Sequence, residues 1–256
     1  MKKLMFALVA AVAAAEAWAI QGTLYTESET LKGDIKWQGR NKQYIISVKK
    51  GSTMVDMERK LDVVTRLDSP MPTGYDKAVQ QVNAGQGVAA VPVLTKIVAD
   101  YRMLQWDKPA GRYLALAYLA SGNAQKAYEV CQPIVSEDKS AGFTGELAPA
   151  YWQALMKLNK LDQLENLLKK AASSGSRQAS AAALVMRGDM LINGASPSPE
   201  QYRQALRDGY LRVFLMYQDP ECRRERVDAA MKAAAVFDKL SQSARAEKLR
   251  QQAKQI

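Results

Sequence analysis

Gly85 and Gly122 lie 37 residues apart, and the residues that follow them keep step over the same interval. Ala90 matches Ala127, Leu94 matches Cys131, and Ile97 matches Ile134. A second shift of 37 brings Asn159, Leu164, Leu168 and Ala171 into register. Near the C-terminus Ala234, Phe237, Ser241, Ala246 and Ala253 match Ala115, Tyr118, Gly122, Ala127 and Ile134. A looser unit lies between, reading Met186, Met190 and Gly194, an insertion Ser196-Pro197-Ser198-Pro199, then Ala205 and Gly209. A fixed period of this length constrains the fold strongly, because one unit cannot bury its own apolar face and must stack on its neighbours. Within a unit the apolar spacing is helical, as in Ala127, Val130, Cys131 and Ile134. The sequence therefore predicts about five antiparallel helix pairs. Gly122 reverses the chain, Ala115 and Ala127 let the two helices approach, and Leu114 and Tyr118 fill the space between pairs.

The pattern Leu114-Ala115-x-x-Tyr118-x-x-x-Gly122-x-x-x-x-Ala127 resembles the core of a tetratricopeptide repeat. The resemblance covers about residues 74–256. It departs from the family at Gln81, which occupies the aromatic position, and at Trp152 and Leu164, which stand where small residues belong. The period of 37 also exceeds the family's usual 34 or so, implying longer links between pairs. The resemblance implies a mainly α chain built as a right-handed α-α solenoid, with the first helix of each pair lining a concave, partner-binding face. In that register Arg112, Gln153 and Lys157 face the groove.

Residues 20–68 have a different texture. Short β-prone runs at Leu24-Tyr25, Ile35-Trp37, Tyr44-Val48, Met54-Met57 and Val63-Leu67 are separated by turn signals at Gly39-Arg40-Asn41, Lys50-Gly51-Ser52 and Arg59-Lys60. They predict a small antiparallel meander or barrel, similar in strand order to SH3-like or Sm-like barrels. Ser69-Pro70-Met71-Pro72-Thr73 reads as a linker before the helical part. The whole is an α+β chain.

Residues 1–19 carry the three parts of a secretory signal peptide: Lys2 and Lys3, an apolar run from Leu4 to Ala15, and Ala17-Trp18-Ala19 at the exit. Export to the periplasm or medium is expected, with a mature start at Ile20. No cysteine stands at that exit to take a lipid, and no later stretch reads as a membrane span. Removing 1–19 takes away Lys2, Lys3 and Glu16, so 36 basic against 26 acidic residues become 34 against 25, a net charge of +9. That excess favours an acidic partner such as an anionic envelope polymer. Nucleic acid is not expected in an exported protein without groove-reading motifs.

The sequence contains no histidine. This removes histidine-based nucleophile activation and histidine-containing metal sites. Gly85-Gln86-Gly87 lacks the rest of a phosphate loop, and Cys131 and Cys222 lack metal spacing. Asp219, Glu221 and Glu225, among Arg223, Arg224 and Arg226, read as a solvated, ion-paired surface loop. No catalytic residue, metal or cofactor is expected. The reading is of an exported, non-enzymatic scaffold that binds a protein or an anionic envelope component. Two alternatives stay open: an exported carboxylate-dependent hydrolase, and a self-associating structural protein of the envelope.

Overall fold

The computed structural model describes residues 19–256, and the signal-peptide expectation falls almost wholly outside them. Among the described residues the chain forms two compact units. One takes in the chain up to Pro70 together with Ala99–Leu104, and the other comprises Met71–Val98 and Gln105–Ile256.

The first unit is a five-stranded antiparallel sheet: β1 (Ile20–Thr26), β2 (Thr30–Gln38), β3 (Gln43–Lys50), β4 (Thr53–Lys60) and β5 (Val64–Asp68). Alternation sorts the side chains, as period-two strands require. Leu24, Ile35, Trp37, Tyr44 and Ile46 are buried. Ile35 faces Ile46 and Trp37 faces Tyr44 across the β2–β3 ladder, the two rings 4.9 Å apart. The Tyr44 hydroxyl donates to the Met103 carbonyl at 2.8 Å, tying Ala99–Leu104 to the sheet.

The strand order is β4-β3-β2-β1-β5, and the sheet is open. The barrel expectation is corrected here. Closure would need β4 to pair with β5, but β4 is exposed along most of its length and carries Asp56, Glu58, Arg59 and Lys60. Zipping it shut would desolvate charge. The sheet is nonetheless curled. A flat sheet would set its outer strands about 19 Å apart at ~4.8 Å per spacing. The four steps from Lys60 to Val64 span at most about 14 Å. The expected turn at Arg59-Lys60 also moves: both residues still pair with β3, and the break comes at Leu61–Val63.

The second unit is helical: α1 (Tyr75–Asn83), α2 (Gly87–Asp100, whose last two residues fall with the sheet), α3 (Asp107–Ala120), α4 (Ala124–Glu137), α5 (Ala148–Lys157), α6 (Leu161–Ser173), α7 (Arg177–Leu191), α8 (Pro199–Gln204), α9 (Leu211–Met216), α10 (Arg223–Lys239) and α11 (Ser243–Lys254). A π-helical stretch, Ala205–Tyr210, joins α8 to α9 without a break, so the eleven segments make ten helices among the described residues.

Four of the turns between helices are the same turn. Gly85, Gly122, Asn159 and Ser241 all have positive φ, at 77°, 77°, 55° and 58°. The next N–H in each case reaches back five residues: Gln86 to Gln81, Asn123 to Tyr118, Lys160 to Leu155 and Gln242 to Phe237. This left-handed cap satisfies carbonyls that a helix end leaves open. The turn after α7 differs. Gly194 is not left-handed, and α8 starts instead on a reciprocal cap between Ser198 and Gln201.

Small residues seat the helices as the spacing predicts: Ala78, Ala90, Ala115 and Ala127 are buried. Trp152 takes a small-residue position beside the link from α4 to α5. Its indole is buried there and donates to the Gly142 carbonyl at 2.8 Å. Cys131 and Cys222 are free thiols buried in separate apolar clusters. No helix among the described residues is long and apolar enough to cross a membrane.

Candidate functional site

Helices α3, α5, α7 and α10 are the first members of four successive pairs, and together they wall a cavity of about 240 Å³. Each helix contributes a stripe at helical spacing: Arg112 and Leu116; Pro149, Trp152 and Gln153; Ala182, Val185, Met186 and Asp189; Arg224, Glu225, Asp228 and Lys232. Two of the three residues read from the sequence as groove-facing, Arg112 and Gln153, line this cavity. Lys157, one turn beyond Gln153, is exposed and lies outside its lining.

The cavity is mixed in charge. Three cations (Arg112, Arg224, Lys232) stand against three carboxylates (Asp189, Glu225, Asp228). The Arg112 guanidinium lies 3.7 Å from the Glu146 carboxylate and over the Tyr113 ring, 4.7 Å from its centre. Lys232 pairs with Asp189 and, at 3.5 Å, with Asp228. The other oxygen of Asp189 accepts from the Tyr210 hydroxyl at 2.7 Å. Burial, then the adjacent Asp189 charge, pushes the Tyr210 hydroxyl far above the usual tyrosine range.

Glu225 is the outlier. It is 6% exposed. Oε1 accepts a long hydrogen bond from Gln178 Nε2 at 3.3 Å, and Oε2 has no partner among the described residues. Burial pushes its carboxyl above the usual range. Its own backbone N–H, Arg224 and Gln178 pull the other way without cancelling the shift. Its place in the first turn of α10 suits a negative charge, but the loss of water outweighs it.

The carboxylate cluster read from the sequence as one solvated loop therefore divides. Asp219 pairs with Arg177 at 2.8 Å on the surface and Glu221 is exposed, as that reading has it, whereas Glu225 is buried at the cavity. The missed signal is the stripe Arg224, Asp228, Lys232 at intervals of four, which marks one face of a helix rather than a loop. The C-terminal basic run falls on the outer face of α11, with Ala246, Leu249 and Ala253 turned inward and Arg245, Lys248 and Lys254 exposed. Net positive charge is thus not concentrated in the cavity. Chemically, the arrangement can hold a polar segment between paired charges and offers one unused, water-poor acceptor.

A scan against protein-family models finds no match to this chain, and a search of curated proteins finds none.

Proposed function

We propose that this protein is a non-enzymatic binding scaffold, similar to tetratricopeptide-repeat solenoids, which holds a segment of a protein partner in the groove of its first helices. The observation that carries this reading is the cavity walled by α3, α5, α7 and α10, the same member of four successive pairs. The repeated left-handed turn at 85, 122, 159 and 241 supports the repeat reading. The complete lack of histidine supports a binding role over most hydrolytic chemistry. The N-terminal sequence pattern supports work in the cell envelope. The balanced charge of the groove favours a protein segment over an anionic polymer, which would ask for a one-signed surface.

The test is a photo-reactive amino acid placed at Gln153, with one at Lys248 on the outer face of α11 as control, in the native organism. Crosslinks to a discrete partner from 153 and none from 248 are expected. Equal labelling from both positions, or none from 153, would refute the groove.

One observation favours a second reading. Glu225 and Asp228, whose carboxyls burial pushes up alike, share the cavity, as paired carboxyls do in a hydrolase. It is the weaker reading because Lys232 already engages Asp228 and Asp189. Turnover of glycan or peptide substrates that vanishes in Glu225→Gln would establish it.

A further inference from the structure

We infer that the groove receives a lysine side chain of the partner, with its ammonium on Oε2 of Glu225. This rests on the scaffold reading above and specifies what the groove recognises.

A carboxylate shut away from water is costly unless it is paired, and a buried acceptor left without a partner calls for an explanation. Glu225 meets both conditions: nine-tenths of it is buried, and Oε2 is unsatisfied. Glu225 also lines the cavity, and because Oε2 is closed to water in the unoccupied protein, a partner entering there reaches it by shifting a neighbouring side chain. Neighbouring cations do not supply that partner. Lys232 is held by Asp189 and Asp228, and Arg112 lies near Glu146. Arg224 makes no ion pair with Glu225 among the described residues, and its charge acts on that carboxyl without offsetting the burial.

Size and wall chemistry narrow the occupant. The 240 Å³ cavity is below the ~300–1,000 Å³ typical of small-molecule sites. It suits one long side chain. Trp152, Val185 and Met186 give it an apolar wall, against which a methylene stem packs while its charged head finds a polar partner. Oε1 is engaged by Gln178, which leaves one free oxygen. A single acceptor matches the point charge of an ammonium better than the two-pronged guanidinium.

The test uses the intact protein and a short Gly/Ser peptide carrying one central lysine, compared with versions carrying glutamine, arginine or glutamate there. Binding is followed by calorimetry, and the contact is located from the NMR signals of Gln178 and Glu225. The lysine peptide should bind at least tenfold more tightly than the glutamine peptide and shift those signals. Glu225→Gln should abolish that preference. If this variant fails to fold, Glu225→Asp keeps the charge but withdraws it by one methylene, and should reduce the preference several-fold. Equal binding of lysine and glutamine peptides, tightest binding by the arginine or glutamate peptide, or an unchanged preference in Glu225→Gln would each overturn the inference. Partner capture from position 153 does not depend on Glu225. Capture without a lysine preference would leave the scaffold reading standing and remove this one. A lysine preference without capture would leave the lysine contact at Glu225 standing but remove the scaffold reading, and with it the partner.

Discussion

Gln178 on α7 donates its amide to Oε1 of Glu225 on α10 at 3.3 Å, and among the described residues this long contact is the one hydrogen bond to the buried carboxylate from another residue's side chain. The two residues are 47 positions apart in sequence and meet because their helices are the first members of adjacent pairs.

A poorly served carboxylate costs stability when ionised. Burial raises the folded-state pKa of Glu225 above the usual glutamate range, so the folded protein binds the proton more tightly than the unfolded chain does. The contribution is favourable below about pH 4.5 and is lost as pH rises through the raised value. Glu225→Gln should therefore be more stable than the parent at pH 7, by about 0.5–2 kcal/mol, the range common for single stabilising substitutions. The difference should shrink toward pH 4. Thermal melts of both proteins across pH 4–7 measure it, and a less stable variant at pH 7 would show that the carboxylate is well paired.

The four equivalent turns make a graded set. Glycine adopts positive φ freely, whereas a residue with a Cβ pays about 1–2 kcal/mol and asparagine less. Gly122→Ala should cost about 1 kcal/mol. Ser241→Gly should gain about 0.5–1 kcal/mol, and Asn159→Gly less. Denaturant titration of the three variants checks the order.

Much of the helical part was legible because this geometry writes itself into residue type. Gly85, Gly122 and Asn159 stand where a left-handed residue is needed, so the period could be counted directly. The curled, open sheet was less legible. Alternation in β2 and β3 tells which side chains face inward, but not whether β4 will pair with β5. Ala99–Leu104 gave no sign of joining the strands, since the helical pattern of α2 runs up to it. Glu225 was missed for a related reason. It meets Gln178, which comes from another pair, and the local sequence shows only a helical charge stripe, not which residue of it is buried. Arg112 and Gln153 come together at the cavity because the repeat register fixes which way they face.

Gly188 on α7 and Tyr210 in the π-helical stretch are in near-contact. A Cβ at 188 would come within 2.7 Å of the Tyr210 ring. The ring is fully buried and its hydroxyl is fastened to Asp189, so it cannot step aside. Gly188→Ala should cost about 1–3 kcal/mol, the range for overpacking. It should also disturb Asp189 and, through Lys232, the groove. Chemical denaturation gives the first effect and calorimetry with the lysine peptide the second.

Cys131 and Cys222 are buried thiols, and burial pushes that of Cys131 up to about 12. A thiol held in its neutral form is a poor nucleophile. Neither cysteine should react with a thiol reagent in the folded protein at pH 7–8, and both should react in denaturant. Rapid labelling of Cys131 in the native state would place it outside the core.

The last prediction separates the cavity from the positive surface. Ala182 on α7 is half-buried and turns toward the cavity. Ala182→Phe adds a ring where about 240 Å³ is open, so the fold should tolerate it better than a fully packed site would, with a cost within about 1 kcal/mol. It should block the groove, reducing crosslinking from position 153 at least tenfold. Lys157→Glu reverses a charge on the same helix as Gln153, but Lys157 is exposed and outside the cavity. Exposed charges are screened beyond ~8 Å at physiological salt. This change should therefore leave capture within about twofold and stability within about 0.5 kcal/mol. If Lys157→Glu abolished capture while Ala182→Phe left it intact, the partner would be reading exposed surface charge and the cavity would be a packing feature. Paired measurements of melting temperature and of crosslinking yield distinguish a blocked groove from a protein that has lost its fold.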